Sequence, residues 1–453
     1  MPETPAGSHA RNHLRSAYAS PASDSYTQNR SNVHGHATSS SAAASHDDRR
    51  ANAVTDGRHG GAHGASPRTL RASGSVEQPK RKKSRYIPAL DGLRALAVLG
   101  VIAYHMGMAW MPGGLLGVTV FFVLSGYLIT SLLLIEWDST GTIDLPQFWL
   151  RRVKRLFPAI AFVIIVTAVL CTLFDHSLLT KLREDMWAAL CWVTNWWYIL
   201  RDVSYFDALG APSPVTHFWS LAIEEQFYVV WPVVLILAHK FFVLALASAL
   251  EMALLFNPDA DPSRVYYGTD TRAFSLLIGA WLAFVWPSNQ LGANNEIHLD
   301  RNVRLALDAV GGIALIGLVA MMAGIEGTSA FMYRGGILLA SVITMVIIAV
   351  IVHPSSLVAK VFAAKPLVWI GLHSYGMYLW HYPILLLMNP RSNIDGTPWW
   401  MYLVELAIIF AISWFSYKFV EDPIRHGAIG KFVGDVRSGQ ILLADWLRTH
   451  ALP

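Results

Sequence analysis

The chain has 453 residues, of which 54% are hydrophobic and 15% charged, with a formal net charge of +4, and its mean hydropathy is +0.39. Soluble domains carry about 25% charged residues, so the deficit excludes an ordinary water-soluble fold for most of the chain. The two cysteines, Cys171 and Cys191, lie among apolar residues without zinc-ligand spacing and read as small buried side chains.

Residues 1–85 are rich in Ser, Ala, Gly, Asn, Arg and His and poor in Leu, Ile and Phe. Such a segment cannot bury enough apolar surface to offset its ordering entropy, which predicts a disordered cytoplasmic tail. Its histidines (His9, His13, His34, His36, His46, His59, His63) are irregularly spaced, as in a solvated tail, and no metal is expected. The tail ends in Lys80-Arg81-Lys82-Lys83-Ser84-Arg85, a cluster that the positive-inside rule assigns to the cytoplasm.

Eleven apolar segments follow, near 88–110, 115–135, 157–174, 185–200, 217–238, 241–256, 273–287, 303–323, 333–352, 366–388 and 399–419. Basic residues after the second (Arg151, Arg152, Lys154, Arg155), before the tenth (Lys360, Lys365) and after the last (Arg425, Lys431) all read as cytoplasmic. With a cytoplasmic N-terminus, this requires one segment between the third and the tenth not to cross. Segment 185–200 is short and crowded with Trp187, Trp192, Trp196, Trp197 and Tyr198, residues that favour the membrane–water boundary. It is expected to lie in, or re-enter from, the outer face. The predicted fold is all-α: a polytopic membrane bundle of about ten transmembrane helices over 86–427, with both termini in the cytoplasm and a short cytoplasmic tail over 428–453.

Ionisable residues at membrane depth cost about 2.5–3.5 kcal/mol on insertion scales, so each is a functional candidate. Arg94 and His105 stand eleven residues apart in the first segment. That spacing returns to the same helix face within about 20° and separates them by about 16 Å along the axis. In the ten-helix topology Arg94 is near the cytoplasm and His105 in the outer half. A second group runs from Thr216 through His217 to Glu224, Glu225 and Tyr228, with His217 at the outer face and the carboxylates a few turns deep. A third is Tyr267 to Arg272, containing Asp270, and a fourth runs from His373 through Tyr378 and His381 to Pro383. His105, His217, His381 and the Asp270–Arg272 group therefore converge on the outer half, as a site requires. Arg152 and Arg155, at i,i+3, share a helix face and suit a phosphate clamp.

Several long motifs now combine. Leu90-Asp91-Gly92-Leu93-Arg94 through Tyr104-His105, Gly117 to Ile129, Arg152-Val-Lys-Arg155, His217 to Tyr228, Thr269 to Arg272, Tyr375 to Pro383 and Val420-Glu421-Asp422-Pro423 stand in this order. Over about 86–427 the chain resembles the acyltransferase-3 family of membrane O-acyltransferases. The resemblance implies transfer of an acyl group, often acetyl, from cytoplasmic acyl-CoA to hydroxyls of envelope glycans or glycolipids in the plasma (inner) membrane. It implies that His105 is catalytic and that Arg94, Arg152 and Arg155 bind the donor. His105 would act as general base or take the acyl group itself, with Glu224 or Asp270 as the orienting carboxylate. His217, Glu225, Arg272, Tyr378 and His381 are the candidate substrate-binding residues. The expected partners are acyl-CoA, the envelope acceptor and membrane lipids, with no bound cofactor and no nucleic acid. Many relatives carry an extracytoplasmic SGNH-type domain. The short sequence after His426 leads to the expectation that transfer finishes inside the membrane domain or on a separate extracytoplasmic transferase. The competing expectation is a transporter or flippase of a glycan precursor, since intramembrane His, Glu and Arg also suit a carrier.

Overall fold

The computed structural model describes residues 86–206, 212–237, 241–288, 300–388 and 397–425. The tails anticipated at 1–85 and 428–453 lie outside the described residues. Pro88 opens α1 (Pro88–His105), where its missing N–H costs nothing and its fixed φ suits a first helical turn. Helix α2 (Leu116–Thr140) ends on Gly141 at φ 72°, a left-handed stop that glycine adopts without strain. Asp144 caps α3 (Leu145–Phe174) by accepting from the Gln147 N–H, and Asp175 caps α4 (His176–Leu190) through Ser177 and Leu178. There follow α5 (Thr194–Leu200), α6 (Phe218–Leu237), α7 (Phe241–Leu255), α8 (Ser263–Tyr267), α9 (Thr269–Val285) and α10 (Arg301–Gly324). A kinked turn over Met332–Gly336 leads into α11 (Ile337–Ile351), then α12 (Leu357–Phe362), α13 (Lys365–Met388), α14 (Trp399–Ser416) and the short α15 (Asp422–Arg425).

The described residues are helical and contain no strand. Among the described residues, six helical stretches are long and apolar enough to cross a bilayer: Leu116–Thr140, Leu145–Phe174, Phe218–Ile236, Arg301–Gly324, Met332–Ile351 and Trp399–Ile424. Four more predicted segments form helices that fall short of that measure. Helices α7 and α9 have 15 and 17 residues, while α1 and α13 carry the ionisable residues of the candidate site. The exposure pattern is inverted relative to a water-soluble protein. Ile313 and Ile316 are each 71% exposed, whereas Arg272 is 0% exposed. Apolar outer faces of this extent belong against lipid, and the chain is a multi-pass membrane protein.

Segment 185–200 does not form one helix. Helix α4 stops at Leu190, Trp192 turns left-handed at φ 57°, and the seven-residue α5 follows. Seven residues rise about 10 Å, against a hydrocarbon core of about 30 Å. The break is held by Asp185, whose carboxylate accepts from Trp197 Nε1 and the Tyr198 hydroxyl, each at 2.9 Å.

The bundle's centre pairs α1 with α13 and α2 with α9. Glycines set these approaches. A Cβ on Gly126 would overlap the backbone carbonyl of Leu276, and one on Gly279 would overlap that of Val123. Helices α2 and α9 therefore touch backbone to backbone, as small residues permit in membrane bundles.

Candidate active site

Two groups of polar side chains lie inside the bundle, one on either side of Tyr378. The first lines a cavity of about 220 Å³. Its wall includes Arg94 from α1, Ser125 from α2, Arg152 and Arg155 from α3, Glu224, Glu225 and Tyr228 from α6, and Tyr378 from α13. Arg94 lies 3.5 Å from Asp91, one helical turn away. The Arg152 guanidinium stands 5.5 Å from the Phe148 ring centroid and 5.9 Å from that of Tyr228. Its Nε is buried without a hydrogen-bond partner among the described residues. Ser125 donates to Glu224 Oε1, and the Tyr228 oxygen lies 2.5 Å from that carboxylate oxygen and 3.0 Å from Ser125 Oγ. The cavity thus combines three guanidinium groups with carboxylates and hydroxyls in one concave space, a setting suited to a phosphate-bearing ligand.

The second group is a cluster of imidazoles. His381 Nδ1 lies 2.6 Å from the Tyr378 carbonyl. A carbonyl only accepts, so that nitrogen carries the proton and Nε2 of the neutral ring is an acceptor. His105 Nδ1 lies 3.0 Å from the Val101 carbonyl and 3.1 Å from His381 Nε2, so it donates to both. His105 Nε2 is left with its lone pair, 2.9 Å from the Tyr205 hydroxyl, which donates to it. The hydrogen-bond network therefore assigns His105 the tautomer with Nε2 basic. His217, 1% exposed, packs at 5.0 Å between ring centroids from His381 and 5.2 Å from Tyr382. Tyr382 also sits 4.9 Å from His105. Between the groups, the Tyr378 hydroxyl donates to the His217 carbonyl at 2.9 Å and lies 2.5 Å from Ser220 Oγ.

The structure brings together some of the sequence-predicted residues and separates others. His105, His217 and His381 meet. Arg94, Arg152, Arg155, Glu224 and Glu225 meet at the cavity, on the other side of Tyr378. Asp270 faces neither group's centre: both its oxygens are held by Arg264, at 3.2 and 2.6 Å. This ion pair holds the Arg264 guanidinium above its ordinary pKa. Arg272 is fully buried among the rings of Tyr266, Phe122 and Trp219, at 5.1, 5.5 and 5.9 Å, and donates to Thr119. Sequence reasoning missed Tyr205 and Arg264. Tyr205 lies in an irregular stretch after α5, and only its contact with His105, one hundred positions away in the chain, marks it out.

The sequence profile of the family described as "Acyltransferase domain" matches residues 87–418. The chain is 44% identical over 371 residues to the peptidoglycan O-acetyltransferase OatA of Listeria monocytogenes, covering 79% of this chain and 59% of that protein. It is 44% identical over 357 residues to the putative peptidoglycan O-acetyltransferase YrhL of Bacillus subtilis, covering 76% and 56%. A putative O-acetyltransferase of Staphylococcus aureus is 41% identical over 362 residues, covering 77% and 59%. The chain spans a little under three fifths of the length of these curated relatives. No solved structure matches it significantly. With its profile match extending over well more than half of its length, this chain belongs to the acyltransferase-3 family.

Proposed function

We propose that this chain transfers an acyl group, acetyl in the simplest case, from cytoplasmic acyl-CoA to a hydroxyl of a cell-envelope glycan, with peptidoglycan or its lipid-linked precursor as the acceptor class. The observation that carries this reading is the pairing along α1. Arg94 lines the cationic cavity, and His105 presents a basic Nε2 about 16 Å further along the same helix face. In the proposed topology α1, α2, α3, α6, α7, α9, α10, α11, α13 and α14 cross the plasma membrane and both termini are cytoplasmic. The peptidoglycan relatives support an envelope acceptor, and a separate extracytoplasmic transferase is the candidate last carrier.

Arg152, Arg155 and Arg94 then take the donor phosphates, whose oxygens match guanidinium forks in pairs. The thioester passes Tyr378 on its way to the imidazoles, which requires the Tyr378 hydroxyl to leave Ser220 and the His217 carbonyl. At the far side the acceptor hydroxyl donates to His105 Nε2, and the Tyr205 hydroxyl turns from that nitrogen to donate to the acceptor oxygen and so sets its position. His105 removes its proton as the oxygen attacks the thioester carbon and the CoA thiolate departs. His381 holds His105 in the required tautomer through Nδ1, which gives it the orienting part expected of a carboxylate. Glu224 fixes Ser125 and Tyr228 along the donor passage.

The direct test is mass spectrometry of envelope glycans with and without the gene, together with transfer of label from acetyl-CoA by the purified chain. Loss of an acyl mass on deletion is expected; an unchanged glycan profile would remove the proposal. Arg152→Ala is expected to raise the donor KM about tenfold or more, with kcat changed less, because the lost contact holds the donor equally before and during reaction. A kcat loss at constant KM would place Arg152 elsewhere in the mechanism.

A further inference from the structure

The contact between Tyr205 and His105 has to be held by something, since Tyr205 lies in a loop. The stretch that carries it is irregular at both ends of α5. Trp192 before the helix and Asp202 after it are left-handed, at φ 57° and 54°. Non-glycine residues reach this region at a cost, and it persists only where surrounding contacts enforce it.

Those contacts form a closed ring of three side chains from three elements. Asn195 of α5, 0% exposed, donates through Nδ2 to Thr269 Oγ1 at 2.9 Å. Thr269, the first residue of α9, donates to Gln226 Oε1 at 2.6 Å. Gln226 of α6 donates through Nε2 to Asn195 Oδ1 at 3.0 Å. The amide orientations are not free. Asn195 Nδ2 also meets the Tyr267 carbonyl at 3.1 Å, and Gln226 Nε2 meets the Trp192 carbonyl at 2.9 Å. Both nitrogens face acceptors, so each remaining oxygen must accept, as the ring requires. Trp196 Nε1 adds a donor to Gln226 Oε1 at 3.3 Å. The bond to the Trp192 carbonyl holds the left-handed residue itself.

The ring thus ties the start of the irregular stretch to α6 and α9. At its other end the Tyr205 N–H is held by Ser263 Oγ of α8 at 2.8 Å, and the Tyr205 ring rests on Tyr266 and Tyr267, at 5.0 and 5.9 Å between centroids. Helix α8 runs directly into α9 through Gly268, so Thr269 sits at the joint of both supports.

We infer that Asn195, Gln226 and Thr269 are positioning residues that set the Tyr205 hydroxyl on His105 Nε2, and through it the geometry in which His105 meets an acceptor. A buried amide–hydroxyl ring suits this task because each member loses its partner if any one moves, so the loop has one low-energy position. The inference rests on the proposed acyl transfer for its kinetic consequence, but not for its structural one.

The test uses the full chain in lipid nanodiscs with acetyl-CoA as donor. Thr269→Val keeps the shape and removes two of the ring's three bonds. It is expected to lower kcat about ten- to a hundredfold, the scale of a misplaced reacting group, and Thr269→Ser is expected to restore it. In a Tyr205→Phe background Thr269→Val should add no further loss. If the two losses multiply instead, the ring acts on folding alone and the inference fails. A second readout needs no activity: the rate at which diethyl pyrocarbonate modifies His105, followed by peptide mass spectrometry. Thr269→Val should raise that rate to the Tyr205→Phe level, since either change uncovers Nε2, and an unchanged rate overturns the inference. If the wild-type chain shows no acyl transfer but the modification rates rise as stated, the functional reading falls and the positioning role stands.

Discussion

His105→Gln is expected to lower kcat for acyl transfer by about 10²- to 10⁴-fold, the usual contribution of a positioned general base, while the donor KM changes little. The cause is local. Glutamine can still donate toward the Val101 carbonyl, but it offers no nitrogen lone pair at the place where Nε2 meets the Tyr205 hydroxyl at 2.9 Å. The arginine-lined cavity proposed for the donor lies beyond Tyr378 and does not include His105 in its wall, so binding there is expected to stay intact. His381→Phe is expected to act more weakly and differently. It keeps a planar ring, somewhat larger than the imidazole, but removes the acceptor 3.1 Å from His105 Nδ1, so the pH–rate profile should move along with kcat. The measurement is label transfer from acetyl-CoA at saturating donor across a pH series. Full activity in His105→Gln would take that residue out of the chemistry and with it the proposed mechanism.

Gly279→Leu is expected to prevent assembly of the bundle. A Cβ at this position falls on the backbone of Val123, as one at Gly126 falls on the backbone of Leu276, so neither α2 nor α9 can yield by turning a side chain. Over-packing costs about 1–3 kcal/mol where side chains can adjust, and a backbone obstacle puts this case at or above the top of that range. Gly312 provides the control, because a Cβ there meets nothing within 4 Å. Gly312→Leu should stay within about 0.5 kcal/mol of the parent. The yield of monodisperse protein in detergent and its melting temperature would compare the two. Equal behaviour would show that the α2–α9 contact is not the close one described.

The separation of the two polar groups also bears on function. A single open channel from Arg152 to His105 would expose an imidazole base to the cytosol in the absence of substrate. In the structure Tyr378 stands between them, bound to Ser220 and to the His217 backbone. Under the proposed function, donor entry and acceptor activation would then be different places on one path, joined when that tyrosine moves.

How much of this was legible in the amino-acid order follows from what kind of interaction each feature depends on. The membrane class, the all-helical fold and the position of nearly every long helix rest on hydropathy runs, which are local. That 185–200 differs from the other apolar segments was legible too, because its tryptophans and flanking charges are neighbours in the chain, whereas its break at Trp192 came only with the structure. The eleven-residue spacing of Arg94 and His105 is a property of one helix, and its geometry could be worked out without any partner. The bond between His105 and His381, the tautomer it imposes, Tyr205 over Nε2, and the allocation of Glu224 to Ser125 and of Asp270 to Arg264 join residues from different elements. Helix periodicity states which residues share a face but not which faces meet, and a carboxylate seen in sequence can be assigned to any cation within its reach. Only the packing of α1, α6, α9 and α13, with close glycine-to-backbone contacts between α1 and α13 and between α2 and α9, decided which histidines touch and which carboxylates were already taken.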